Sequence, residues 1–147
     1  MDLGLIVLDK EYENNMRMKL LLTVILVVTL LSCSRGSTEL KLVQQQRTGD
    51  YKIAILSETG TIQQGKKPFI LEFRRATDDQ LVDVGTVNVA PVMVMAGMGP
   101  MMATTEVTPS DTPGRYTAIG NLTMSGHWKV NVTFGNGQNV QFNLSAE

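Results

Sequence analysis

The sequence predicts an all-β protein: an immunoglobulin-like antiparallel β-sandwich of about seven strands, preceded by a signal peptide. Three observations carry this. Beyond residue 50 apolar and polar residues alternate at period two almost everywhere, turn residues punctuate the runs, and no stretch there sustains a helical period. Strict alternation buries one face of a strand and leaves the other wet, which is the habit of antiparallel sheets.

The elements follow in order. Arg17 and Lys19 precede an unbroken apolar-and-threonine run from Leu20 to Leu31. Those twelve residues make about 18 Å of helix, too short for a hydrocarbon core of about 30 Å. A basic stretch, a short apolar stretch and a small residue describe a secretory signal, read here as residues 1–32. Met16 and Met18 lie much closer to its basic residues than Met1 does, which points to an over-extended start. Leu30-Leu31-Ser32-Cys33 resembles the lipobox of a bacterial lipoprotein, with an uncleaved anchor helix as the alternative. That resemblance implies a diacylglycerol thioether on Cys33, a membrane partner reached through acyl chains, and a place in the cell envelope. Ser34 after the cysteine implies outer-membrane sorting in a bacterium with two membranes. Residues 33–49, polar and containing Gln44-Gln45-Gln46, read as a lipid-anchored tether with little local order, and residues 50–147 as the folded domain.

Within the domain, Tyr51, Ile53 and Ile55 alternate with Lys52 and Ala54, and Phe69, Leu71 and Phe73 with Glu72 and Arg74. Trp128, Val130, Val132 and Phe134 form a third run, and Val140, Phe142 and Leu144 a fourth. Phe134-Gly135-Asn136-Gly137-Gln138 between the last two is a strong hairpin signal, because Gly and Asn accept positive φ. Asp111-Thr-Pro-Gly114-Arg-Tyr116 resembles a tyrosine corner, in which the phenol bonds back to nearby backbone. Trp128 is the expected central core aromatic.

From Cys33 onward the chain carries ten Lys/Arg and ten Asp/Glu, so it lacks the basic stripe that nucleic acid demands. With one cysteine no internal disulfide can form, and about 115 residues suffice for a core without one. Catalysis needs a positioned base or nucleophile, and the chain offers one histidine and no nucleophile motif; the expectation is a non-enzyme. Asp78, Asp79 and Asp83 lack calcium-loop spacing and read as a solvated turn. Lys66-Lys67 and Arg74-Arg75 read as wet strand edges that resist edge-to-edge pairing. The triplets starting at Asn121, Asn131 and Asn143 match a glycosylation acceptor, which a bacterial lipoprotein leaves unmodified.

The most unusual feature is methionine. Six follow the signal, and five fall in Pro91-Val-Met93-Val-Met95-Ala-Gly-Met98-Gly-Pro-Met101-Met102. Met93 and Met95 would share one face of a strand, and Gly97, Gly99 and Pro100 would then place Met98, Met101 and Met102 on or beside a loop. Met124-Ser-Gly-His127-Trp128 reads as a hairpin turn carrying the single histidine. Thioethers and imidazole ligate copper, and thioethers select Cu(I). Methionine also fills irregular cores and adaptable binding surfaces. On residues alone, packing, a metal site and an apolar docking patch all stay open for these seven side chains.

Gly114-Arg-Tyr116 followed by Met124-Ser-Gly126-His-Trp128-Lys-Val130-Asn-Val132 resembles the YtkA-like domain, with its Gly-x-Tyr, Met-x-Gly-x-Trp and alternating strand. The methionine-rich segment takes the place of that family's Met-Pro-x-Met stretch, although Met93-Val94 and Met95-Ala96 stand where the family has Met-Pro pairs. The resemblance runs from about Gly49 to Gln141. It implies an extracytoplasmic β-sandwich related to FixH proteins, and a context of copper or heavy-metal handling beside copper-efflux or oxidase-assembly proteins. The family pattern does not fix the position of His127.

Overall fold

The computed structural model of the protein describes residues 39–147. The signal segment, Cys33 and the first part of the tether lie outside the described residues.

The described residues form an antiparallel β-sandwich of nine strands: β1 (Lys41–Thr48), β2 (Tyr51–Ser57), β3 (Gly65–Arg75), β4 (Val87–Met93), β5 (Met101–Met102), β6 (Thr105–Pro109), β7 (Arg115–Leu122), β8 (Gly126–Phe134) and β9 (Gln138–Ala146). One sheet runs β1-β2-β3-β7-β6 and the other β5-β4-β8-β9. The ladders within both sheets are antiparallel. The architecture is the one the alternation predicts, with two strands more than the approximate count. β1 and the two-residue β5 are the additions.

The alternating runs supply the inner faces. Ile53, Ile55, Phe69, Leu71, Phe73, Tyr116, Ala118 and Leu122 face inward from the first sheet, and Val89, Met93, Trp128, Val130, Val132, Phe134, Phe142 and Leu144 from the second. Trp128 stands opposite Leu144 and Val130 opposite Phe142 across the β8–β9 hairpin, which turns at Gly135–Gly137 as its sequence predicts. Tyr51, half-buried, packs edge-on against Phe134 at 5.5 Å between ring centroids. Burying a large side chain contributes about 1.5–3 kcal/mol, so these few aromatic and branched residues dominate the core.

Three expectations are corrected. The tether reading of residues 33–49 fails for its second half, because Lys41–Thr48 pair along the whole of β2. The strand has no clean alternation, since a bulge between Leu42 and Gln44 breaks its register and its outer edge is wet. Arg74 and Arg75 end β3, an interior strand flanked by β2 and β7, so they are not edge guards. Instead Glu72, buried on that strand, accepts from Arg74 Nε at 2.6 Å and from Arg115 Nε at 2.7 Å. Finally, residues 123–125 do not close a hairpin. β7 and β8 belong to different sheets, and this turn carries the chain from one to the other.

The tyrosine of the predicted corner also finds other partners than its own turn. Tyr116 Oη donates to Asp83 Oδ1 at 2.6 Å and accepts from the Val84 N–H at 3.2 Å, tying β7 to the segment that enters β4. Asp83, read as part of a solvated turn, is thus a structural acceptor that also receives the Gly85 N–H.

Candidate functional site

The methionines gather at one end of the sandwich, where β4 stops, β5 and β8 begin, and β7 and β9 finish. The termination of β4 follows from its sequence. Pro91 lacks an N–H and is tolerated only toward an open edge, and its carbonyl there accepts from Ala103 N at 3.0 Å beyond the two-residue β5. Gly97, Gly99 and Pro100 then prevent a longer hairpin, and the Met98 N–H closes a turn onto the Met95 carbonyl at 3.2 Å.

The seven predicted site residues do not converge on one point. Met93 points into the core at 3% exposure, and its Cε lies 3.3 Å from where a Cβ on residue 126 would sit, so Gly126 makes room for it. Met101 pairs with Met93 and shares its inward face, half-buried. Its sulfur accepts a hydrogen bond from Thr123 Oγ1 at 3.5 Å, which aims the thioether at the 123–125 turn. Met124 sits on that turn, part exposed, and its carbonyl accepts the Trp128 indole N–H at 3.1 Å. Met95, just past the end of β4, is half-buried against the core, and Met98 is 62% exposed. Met102 pairs with Val92 on the outer face and is 76% exposed. His127 also lies outward, because Trp128 beside it points in. Its Nδ1 is 3.0 Å from Ser145 Oγ on the neighbouring strand. Met95, Met98, Met101 and Met124 therefore share one corner, Met93 packs beneath it, and Met102 and His127 belong to the outer sheet face.

Sequence reasoning gave no site role to Thr123, Gly126 or Gln64, which hold this corner together. Gln64 Nε2 donates to the Thr123 carbonyl at 2.8 Å, fastening the turn to the β2–β3 loop. Only the Gly in the Met-x-Gly-x-Trp run offered a signal for any of them.

Among the described residues no three His, Cys, Asp or Glu side chains gather as a metal cluster. The donors offered at this corner are thioethers. They need no deprotonation and suit a soft monovalent ion better than a hard or borderline one. The chemistry of the donor set thus fits Cu(I) at Met95, Met98, Met101 and Met124, and does not extend to Met93, Met102 or His127 as one set.

These features define a class: an antiparallel β-sandwich that gathers methionine in its β4–β5 and β7–β8 connections at one end. A sequence profile of the YtkA-like family matches residues 45–133, well over half of the chain, and the protein belongs to that family. The matched stretch contains the methionine corner and β8 as far as Thr133 and stops before β9. No curated protein and no solved structure matches the chain.

Proposed function

We propose that this domain is a non-catalytic Cu(I) handler outside the cytoplasmic membrane, lipid-anchored at Cys33, holding the ion for delivery or sequestration beside a copper-efflux or oxidase-assembly protein. The observation that carries this reading is the accessible corner of Met95, Met98, Met101 and Met124, at which one sulfur is already oriented by Thr123. When bound there, Cu(I) would be held by thioether lone pairs. The chain's own residues do the rest: Thr123 and Gln64 fix the turn, and Gly126 lets Met93 fill the space beneath. The single histidine, bonded to Ser145 on the outer face, stands on the opposite side of β8 from the core and takes no part.

Leucine conserves the volume of methionine and removes the donor sulfur, and such swaps usually cost less than about 1.5 kcal/mol. Paired Met98→Leu and Met101→Leu changes should lower Cu(I) retention against a chelator by more than about tenfold, or about 1.4 kcal/mol, with little change in melting temperature. Equal retention in wild type and variant would remove the reading. The exposure of Val94 and Met102 supports a second one, in which the same end is an apolar docking surface and the swaps change nothing.

A further inference from the structure

The two ends of the sandwich expose different chemistry, and the chain enters at one of them. Lys41 opens β1 opposite Ser57, and its Cβ lies 3.4 Å from where a side chain on residue 60 would begin. The chain therefore joins the domain beside the β2–β3 loop, which Gln64 fastens to Thr123 next to the methionine corner. The large hydrophobic residues that are exposed among the described residues are Leu42, Val94, Met98, Met102 and Met124, and all five lie toward this end. The opposite end, around the Gly135–Gly137 turn, carries every aspartate of residues 39–147.

We propose that the methionine end is a lipid-contacting face, whose occupant is the phospholipid surface that holds the acyl chains of Cys33. The proposal rests on the reading of Cys33 as lipidated and is independent of copper. Eight residue steps separate Cys33 from Lys41, and fully extended they reach at most about 28 Å. The nine residues of β8 span about 30 Å. To bring the Gly135–Gly137 turn to the same lipid surface, the tether would have to lie taut along the entire domain. With the methionine end down it keeps ample slack. Apolar side chains held at the boundary between headgroups and acyl chains are removed from water, which is the ordinary driving force for interfacial contact. Lys41, Lys66 and Lys67 at this end are matched by Glu39, Glu58 and Glu147, so attraction to anionic lipid is not what holds it there.

The test uses the full chain with its native N-terminus, in vesicles of phosphatidylethanolamine and phosphatidylglycerol doped with a photoactivatable phosphatidylcholine. After illumination, peptide mass spectrometry maps the lipid adducts. Adducts on Leu42, Val94, Met98, Met102 and Met124 should exceed those on the Gly135–Gly137 turn several-fold, at every phosphatidylglycerol fraction. An even spread, or adducts centred on Lys66 and Lys67 that grow with phosphatidylglycerol, would overturn the proposal. So would photo-methionine at Met98, Met102 and Met124 crosslinking in cells to a protein and not to lipid. The N-terminal peptide of the same sample separates the two layers of inference. An unacylated Cys33 removes the anchor and this proposal together, whereas an acylated Cys33 with evenly spread adducts removes this proposal alone.

Discussion

The aspartate end and the methionine end close the same core by opposite means. At the first, geometry is specified atom by atom. All five ion pairs among the described residues lie there: Lys52–Asp79, two from Arg74, Arg75–Asp78 and Arg115–Glu72. Phe73 stacks edge-on with Tyr116 at 5.5 Å and tilts onto Phe134 at 5.0 Å. At the second end, no ion pair is found among the described residues; a few neutral hydrogen bonds, such as those from Gln64 to Thr123 and from Trp128 to Met124, fasten one turn, and much of the surface is long thioether side chains with many rotamers. The three pairs that do not involve Glu72 contribute little singly, and the two on buried Glu72 largely offset its desolvation, so the difference is one of definition more than of strength. Directional bonds select one arrangement. Thioethers accept several, and a surface that must accommodate an ion or a partner needs that freedom.

The largest expected effect falls beneath the methionine end. Trp128→Ala should cost about 3–5 kcal/mol, because it empties the core and releases the Met124 carbonyl. Thermal melts of the purified variant check this, and a shift of only a few degrees would mean that the flexible end rests on something else.

Two glycines test the contrast more sharply. A Cβ on residue 114, where φ is +83°, would lie 2.8 Å from the Val82 amide nitrogen. Gly114→Ala therefore carries about 1–3 kcal/mol of backbone strain and must also displace the segment before β4. Gly97, at φ +79°, has nothing within 4 Å of the same position. Gly97→Ala should show only the left-handed penalty of about 1–2 kcal/mol. Equal losses in urea titrations of the two would erase the distinction between the ends.

Next comes Tyr116→Phe, read through pH. The Tyr116 hydrogen bond and then the Gly85 N–H hold Asp83 below the usual carboxylate value. The Lys52 ammonium does the same for Asp79. A depressed carboxylate contributes stability that is present above its ordinary range and lost as pH falls through the folded value. Burial, and then the Asp83 carboxylate, raise the Tyr116 phenol above 10.0. That contribution is complete below the ordinary phenol value and is lost as pH rises through the raised one. Replacing Tyr116 should weaken the acid limb of the stability profile and remove this phenol's share of the alkaline limb. A profile that keeps both unchanged would show that Asp83 and Tyr116 are neighbours without energetic linkage.

The smallest effect belongs to the exposed sulfurs. Met102→Leu should alter stability by no more than about 0.5 kcal/mol, as surface changes usually do. A larger loss would show that the methionine end is locked after all.

What the sequence revealed divides along similar lines. β8 and β9 were legible because each has one wet face, so burial is written as alternation; β2 and β3 were legible from the same alternation of residue types, although Ala54 and Glu72 on their outer faces are buried as well. β1 was not, since its glutamines lie on an edge with a bulge and neither face is consistently apolar. β5 was too short to carry any period. The methionine corner was legible as composition, and Met98 and Met101 as loop neighbours. That Met102 and His127 turn to the other face depends on where β4 ends and on the change of sheet between β7 and β8. Those are long-range facts with no local signature. Tyr116 was recognised by its turn, but its partner Asp83 is 33 residues away across the fold.

The hydrogen bond from Trp128 to Met124 turns the core tryptophan into a probe of the methionine corner. The chain has a single tryptophan, 1% exposed, whose indole donates to the carbonyl of Met124. Its emission comes from one environment, and that environment is the turn carrying one of the candidate sulfurs. Intrinsic fluorescence is therefore a built-in reporter for this corner. An ion, a lipid or a protein that moves the 123–125 turn would change the indole hydrogen bond, and with it the wavelength and lifetime of the light, with no label attached.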